Sequence, residues 1–224
     1  MTAIRSHSPE HILIPGAAGN IDMLADIPGD VRGIALVCHP HPLFGGANTN
    51  KVAYTLARAL RDLGYAALRP NFRGVGKSEG THDFGNGETQ DMLTVLAWAQ
   101  TRWGKGLPLV LGGFSFGAYV QVRLAGHLAT EGFLPRQMVL VGTAVGKTDG
   151  SSTYYETPPV PKNIPALIIH GESDETVPLG NVLEWARRQE LSVTVISGVD
   201  HFFHGRLNTI RELVARNVLP AAVR

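Results

Sequence analysis

Apolar residues along this chain fall into short blocks separated by Gly, Pro and polar clusters, and the blocks alternate between two periods. Ile12-Leu13-Ile14 and Ile21-Asp22-Met23-Leu24-Ala25 flank a turn region containing Pro15-Gly16 and Gly19-Asn20, the pattern of an antiparallel hairpin. Gly33-Ile34-Ala35-Leu36-Val37-Cys38 is a continuous apolar run, which suits a strand covered on both faces. Over 50–63, Ala53, Leu56, Ala57, Leu60 and Leu63 recur at helical spacing, and Gly64 supplies a stop. The same reading predicts strands over 65–68, 107–114, 138–141, 166–169 and 191–196, and helices over 88–103, 116–128, 182–188 and 207–218.

After the hairpin the order is strand, helix, strand, helix. Parallel neighbours need a crossover and a helix supplies it, so the expectation is an α/β fold: a mostly parallel sheet with helices on both faces. Ligand sites in such sheets lie beyond the carboxyl ends of the strands, which makes residues just after strands the ones to read for chemistry. The stretch 145–163 breaks the alternation with Gly146, Gly150, Pro158, Pro159 and Pro161, and reads as a long loop. It is either a plain surface connection or a short flap that uses Tyr154 and Tyr155 as an apolar wall.

The 224 residues suit a single domain, 1–224, with one large core. Apolar residues make up 44% and charged residues 17%, which argues against disorder. Twenty Lys+Arg against 19 Asp+Glu leave +1, so there is no basic footprint for nucleic acid. One cysteine, Cys38, excludes an internal disulfide and any all-Cys metal site, and its apolar strand marks it as a small core residue. No apolar run approaches the roughly 18 residues of a membrane span, and the first ten residues lack a signal-peptide core. A cytoplasmic protein acting on a small molecule is the expectation.

The strongest chemical signal is Gly113-Phe114-Ser115-Phe116-Gly117, a G-x-S-x-G run between a predicted strand and a predicted helix. In that setting the turn is so sharp that side chains at Gly113 and Gly117 would meet neighbouring backbone. Ser115 is then held in strained backbone geometry with its hydroxyl exposed, and helix N–H groups are aimed at the site. A serine hydroxyl needs a base, and the base an orienting carboxylate, in the chain order Ser, acid, His. The strand 166–169 runs into His170-Gly171-Glu172-Ser173-Asp174-Glu175, where Asp174 is favoured over Glu172 and Glu175. Two histidines follow, His201 and His204, and His201 lies nearer the preceding strand. Asp200 is too close in sequence to reach its neighbour's ring. No further ligand set joins His201 and His204 into a metal site, and no organic cofactor is called for.

Acyl transfer also needs two donors for the developing oxyanion. Phe116, after the nucleophile, offers one backbone N–H. The loop His39-Pro40-His41-Pro42-Leu43 offers the other from His41 or Leu43, since proline has none. His39 and His41 can equally be read as structural imidazoles. Arg73-Gly74-Val75-Gly76-Lys77-Ser78 ends like a phosphate-binding loop, but Asn71 stands where that motif requires its first glycine. Arg73 and Asp83 instead suit a loop flanking the pocket.

With these residues in place, the chain resembles the α/β-hydrolase superfamily over nearly its full length. The markers are 39–43, Asn71-Phe72-Arg73-Gly74-Val75-Gly76-Lys77-Ser78, 113–117, 170–174 and Asp200-His201-Phe202-Phe203. It looks most like the small, cap-less bacterial hydrolases near dienelactone hydrolase and the cinnamoyl esterase-like proteins. The resemblance implies an eight-stranded sheet with its second strand antiparallel and no large cap. It implies Ser115, Asp174 and His201 as a triad, with Phe116 and His41 or Leu43 as oxyanion donors. Dienelactone hydrolase itself is expected to carry cysteine at the elbow. Ser115 therefore points to ester cleavage, with thioesterase, acyltransferase, peptidase or a silent ligand-binding site as alternatives. Phe44, Phe116, Tyr154, Tyr155, Phe202 and Phe203 are the candidate walls of an open pocket.

Overall fold

A computed structural model describes residues 8–148 and 153–221. The chain begins with β1 (Glu10–Gly16) and β2 (Gly19–Asp26), a hairpin whose register runs from Glu10 opposite Ala25 to Gly16 opposite Gly19. Then follow β3 (Gly33–Cys38), α1 (Lys51–Asp62), β4 (Tyr65–Pro70), α2 (Asn86–Trp103), β5 (Leu109–Phe114), α3 (Phe116–Thr130) and β6 (Gln137–Val141). Next come β7 (Gly146–Lys147) and β8 (Tyr154–Tyr155), paired antiparallel in a small ladder of their own. The chain ends with β9 (Ala166–Gly171), α4 (Leu179–Arg187), β10 (Val193–Ile196) and α5 (Leu207–Asn217).

Eight strands form one sheet in the order β1-β2-β4-β3-β5-β6-β9-β10. Within it β2 alone runs against its neighbours, antiparallel to both β1 and β4, and the remaining pairs are parallel. This is the α/β-hydrolase architecture that the sequence resembles, and it carries no cap domain among the described residues. No helix among them is long and apolar enough to cross a membrane.

Successive residues of a strand face opposite ways, so a central strand covered on both sides must be apolar throughout. Ala35 and Val37 of β3, Val110 of β5 and Val139 of β6 pack with Leu56 and Leu60 of α1 and Ile210 and Val214 of α5. Their neighbours Ile34, Leu36, Leu111 and Leu140 pack on the other face with Met92 of α2, Val120 and Leu124 of α3 and Trp185 of α4. The helices end where the sequence provides for it. Asn50 Oδ1 accepts the N–H groups of Val52 (2.9 Å) and Ala53 (3.3 Å) to start α1, and Gly64, at φ +92°, follows its last turn.

One segment differs from the sequence reading, and a second shows why its motif fails. The long-loop stretch 145–163 contains the β7–β8 ladder, and 149–152 lie outside the described residues. The phosphate-loop-like run is folded onto the hairpin: Asp22 Oδ2 accepts from Asn71 Nδ2 (2.9 Å) and the Lys77 N–H (3.1 Å), and Ser78 Oγ accepts the Asp22 N–H (2.9 Å). The Lys77 N–H thus serves an internal carboxylate, and those of Val75 and Ser78 close local turns on Phe72 O and Val75 O. Because β3, β5, β9 and β10 are parallel, the segments that follow them all emerge at one edge of the sheet.

Candidate active site

The turn after β5 has the geometry that its glycines require. A Cβ on Gly113 would come within 2.5 Å of the backbone of Gly117 and Ala118, and one on Gly117 would collide with the carbonyl oxygens of Cys38 and His39. Between them Ser115 sits at φ +56°, ψ −120°, a conformation that costs a non-glycine residue about 1–3 kcal/mol. The surroundings hold it there. The Ser115 N–H donates to Val141 O at 2.9 Å, and its carbonyl accepts from the N–H groups of Ala118 (3.0 Å), Tyr119 (3.3 Å) and Ala144 (3.3 Å).

His201 stands over this serine. Its Nε2 lies 3.0 Å from Ser115 Oγ, and its Nδ1 lies 2.7 Å from Asp174 Oδ2. A carboxylate only accepts, so the ring proton is on Nδ1 and Nε2 is free to accept the serine proton. Asp174 is fixed in turn: its Oδ1 accepts the N–H groups of Thr176 (3.0 Å) and Val177 (2.7 Å). All three residues are less than 10% exposed. The loops bearing His201 and Asp174 are tied together. Ser173 N–H donates to Val199 O at 2.9 Å, and Gly198 N–H to Glu172 Oε2 at 2.8 Å. The backbone at 199–200 crosses so close over Gly171 that any Cβ there would strike it.

The structure therefore brings Ser115, Asp174 and His201 together and sets the alternatives apart. Glu172 is occupied with Gly198, and His204 Nδ1 pairs with the Asp200 carboxylate at the surface. In the loop after β3, residues Pro42–Phe44 form one 3₁₀ turn, and the Leu43 N–H donates to His41 Nδ1 at 3.2 Å. Leu43 is thereby withdrawn as an oxyanion donor. The backbone N–H groups of His41 and Phe116 have no acceptor among the described residues.

Pro40, His41, Phe44, Ala144, Thr148, Tyr155, Thr176 and Phe202 surround Ser115 and His201 in a cleft of about 250 Å³. Phe203, expected as a possible wall, is instead fully buried in the core, and Tyr154 faces a separate groove with Asn181 and Trp185. Burial pushes the His41 imidazole down to about 4, helped by the neighbouring His82 and opposed by Glu88. His39 is wholly buried and lowered to about 4 for the same first reason. Its Nδ1 donates to Pro40 O (2.7 Å) and its Nε2 accepts the Phe72 N–H (2.9 Å), so it is a structural brace for the loop. Burial raises the Cys38 thiol, which receives a contact from Gln121 Nε2 at 3.1 Å inside the core. Arg73 is paired with Asp91 (2.6 and 3.1 Å), and Asp83 accepts the Gly87 N–H (2.9 Å), so both stabilise the loop before α2.

Three buried polar groups near the site escaped the sequence reading. His82 packs its ring on both His41 (4.7 Å) and Phe116 (5.2 Å), with Nδ1 3.0 Å from the fully buried Glu88 at an angle too poor for a hydrogen bond. His170 lies against Asp174, with Nε2 3.4 Å from Oδ2. The spacing of His170 four residues before Asp174 was the available signal; for His82 and Glu88 there was none beyond their nearness to Asp83.

Residues 32–134 match the X-Pro dipeptidyl-peptidase (S15) family. An uncharacterised protein of Rickettsia prowazekii is 36% identical over 177 residues, covering 76% of this chain and 71% of its own length. Among solved structures, an α/β serine hydrolase homologue from Coxiella burnetii is 36% identical, with a TM-score of 0.81 over 95% of this chain and 98% of that one. A serine hydrolase without a lid from Xanthomonas campestris is 33% identical, with a TM-score of 0.80 over 99% of this chain and 100% of that one.

Proposed function

Since this chain belongs to the α/β serine hydrolases that lack a lid, we propose that it cleaves carboxylic esters of small to medium acyl or aryl groups. The observation that carries the reading is the position of His201, 3.0 Å from Ser115 Oγ and 2.7 Å from Asp174 Oδ2, at the floor of an open, largely apolar cleft. Ser115 attacks the ester carbonyl while His201 Nε2 takes its proton, and Asp174 steadies the imidazolium. The N–H groups of Phe116 and His41 receive the oxyanion. His201 then returns the proton to the leaving alcohol, and water repeats the sequence on the acyl-enzyme to release the acid. The compartment that suits this reading is the cytoplasm, in keeping with a single cysteine that is buried and unpaired.

Amide cleavage is the second reading, favoured by the S15 peptidase match, which ends at residue 134 and so precedes both Asp174 and His201. Purified protein assayed on p-nitrophenyl esters of increasing chain length, on a thioester and on an X-Pro p-nitroanilide separates the classes. Ester turnover with negligible anilide turnover is the expected result. A fluorophosphonate should label the wild type and fail to label Ser115→Ala; labelling of both, or of neither, would sink the assignment of Ser115.

A further inference from the structure

The acid of the proposed triad touches a second imidazole that the mechanism above leaves idle. His170, in β9, has no exposure to solvent. Its Nε2 lies 2.9 Å from Val177 O and 3.4 Å from Asp174 Oδ2, and its Nδ1 has no partner among the described residues. Carbonyl and carboxylate oxygens only accept, so the ring proton sits on Nε2 and Nδ1 is a bare, buried acceptor. Burial lowers this imidazole's affinity for a second proton and outweighs the opposing pull of Asp174. The ring is therefore neutral beside the carboxylate.

The bonds close a circuit. The Val177 N–H donates to Asp174 Oδ1 at 2.7 Å, and the Val177 carbonyl accepts from His170. The Val177 N–H thus closes the 174–177 turn on Asp174, and its carbonyl ties that turn to β9 through His170. An aliphatic residue at 170 would fill the same volume without stranding a ring nitrogen in the core, which is unfavourable. That orphaned Nδ1 is the sign that the position requires the Nε2–H.

We propose that His170 is a positioning residue for the acid: it clamps the 174–177 turn so that Asp174 Oδ2 faces His201 Nδ1 throughout the proton transfer at Ser115. The inference rests on the triad reading above. The titratable groups that act on His170 are Asp174 and His201.

His170→Leu keeps the bulk and removes the donor, and His170→Gln restores an N–H at similar reach. On a p-nitrophenyl ester the Leu variant should lose about 10- to 100-fold in kcat, the scale of a misplaced catalytic group. Its KM should stay within about twofold. The acid limb of kcat/KM should move to lower pH, because a displaced Asp174 no longer steadies protonated His201. The Gln variant should recover most of the rate. A role in packing alone would lower the melting temperature and leave the acid limb in place. The proposal is overturned by a Leu variant with wild-type kcat and acid limb, or by a Gln variant as impaired as Leu. Should the Leu variant fail to fold, nitrogen-15 NMR of the wild-type imidazoles still decides. His170 should appear as the Nε2–H form and hold its second proton less readily than an ordinary histidine, because burial disfavours the charged ring. An Nδ1–H form, or a ring that takes up its proton as readily as an exposed histidine, overturns the clamp. If the wild type neither hydrolyses esters nor reacts with a fluorophosphonate, the triad reading fails, and the NMR result judges the clamp separately.

Discussion

Asp174→Asn is the sharpest test of how the proposed site works, because the structure dictates which way the new amide must point. Asp174 Oδ1 accepts the N–H groups of Thr176 (3.0 Å) and Val177 (2.7 Å), so the asparagine oxygen takes that place. Its NH₂ group then occupies the position of Oδ2, which is 2.7 Å from His201 Nδ1. Two donors cannot face each other, so the imidazole must move its proton to Nε2 and present an N–H to Ser115 Oγ at 3.0 Å. In that form it cannot take the serine proton, and the imidazolium has lost its carboxylate. The expected loss is about 10⁴-fold in kcat, the magnitude known for this tautomer error in a serine protease. At 1.36 kcal/mol per decade this is roughly 5.5 kcal/mol of barrier. Stability should hardly change, since both backbone bonds survive. Asp174→Ala makes the contrast. It leaves two N–H groups without their acceptor, at about 1–3 kcal/mol each, and a chain of this size loses about 2–4 °C in Tm per kcal/mol. Initial rates on p-nitrophenyl butyrate and thermal melts of the two variants give both quantities. An Asn variant that retains roughly a tenth or more of wild-type kcat would refute the reasoning.

Ser115→Gly should be inactive yet more stable, because glycine adopts φ +56°, ψ −120° without strain; an increase in Tm of about 2–12 °C is expected, and a decrease would count against strain stored there. Gly117→Ala forces a methyl group into the carbonyl oxygens of Cys38 and His39, which are backbone and cannot turn aside; urea unfolding should show a loss of about 1–3 kcal/mol or more, and an unchanged midpoint would contradict the close approach. Acid should destabilise the fold before its carboxylates titrate. The unfolded chain takes up a proton on His39 below about pH 6.5, whereas the folded one does so only near 4, so this contribution is complete above pH 6.5 and lost as pH falls toward 4. For His39 it amounts to on the order of 3 kcal/mol, and His170 adds in the same direction; urea midpoints that are level between pH 7 and 4.5 would speak against neutral buried rings.

The elements were legible because each carries its own period. The strands are apolar runs with covered faces, the helices have spaced apolar stripes, and boundaries fall at Asn50 and Gly64 where capping chemistry puts them. Ser115, Asp174 and His201 were legible for a different reason. Each lies within five residues of the end of a strand, and parallel strands deliver their successors to one edge. His170 was legible only as a residue four positions before Asp174, because a polar residue inside an apolar strand does not by itself show which way the following loop turns back. Glu88 bonds locally to the N–H groups of Asp83 and Gly85, but what surrounds it is set by His82 meeting His41 and Phe116 from two other segments. The preference for His41 over Leu43 rests on one ring nitrogen accepting an N–H two residues on, a bond that the order of residues in the loop does not announce. Phe203 looked like a pocket wall because it neighbours Phe202, yet its backbone turns to φ +55° and sends the ring into the core.

The glycines of the site explain how so short a motif can carry tertiary information. At Gly117 the start of α3 presses on the carbonyl groups that end β3, and at Gly171 the chain at 199–200 passes over β9. At Gly142 a Cβ would stand 3.3 Å from the ring of His201. Each of these glycines sets a distance between two different strand ends. The first brings the Phe116 N–H beside the loop that offers the His41 N–H, and the other two place the imidazole over the serine. A pattern such as G-x-S-x-G therefore encodes a spacing between segments rather than a local turn alone. The geometry of the proposed triad is accordingly carried by the sheet and its crossings, whereas the exposed Leu43 and Phe44 sit on a turn that the sheet does not hold rigid by burial. Substitutions on that turn should redirect which acyl groups enter the cleft while leaving the separation of Ser115 and His201 intact.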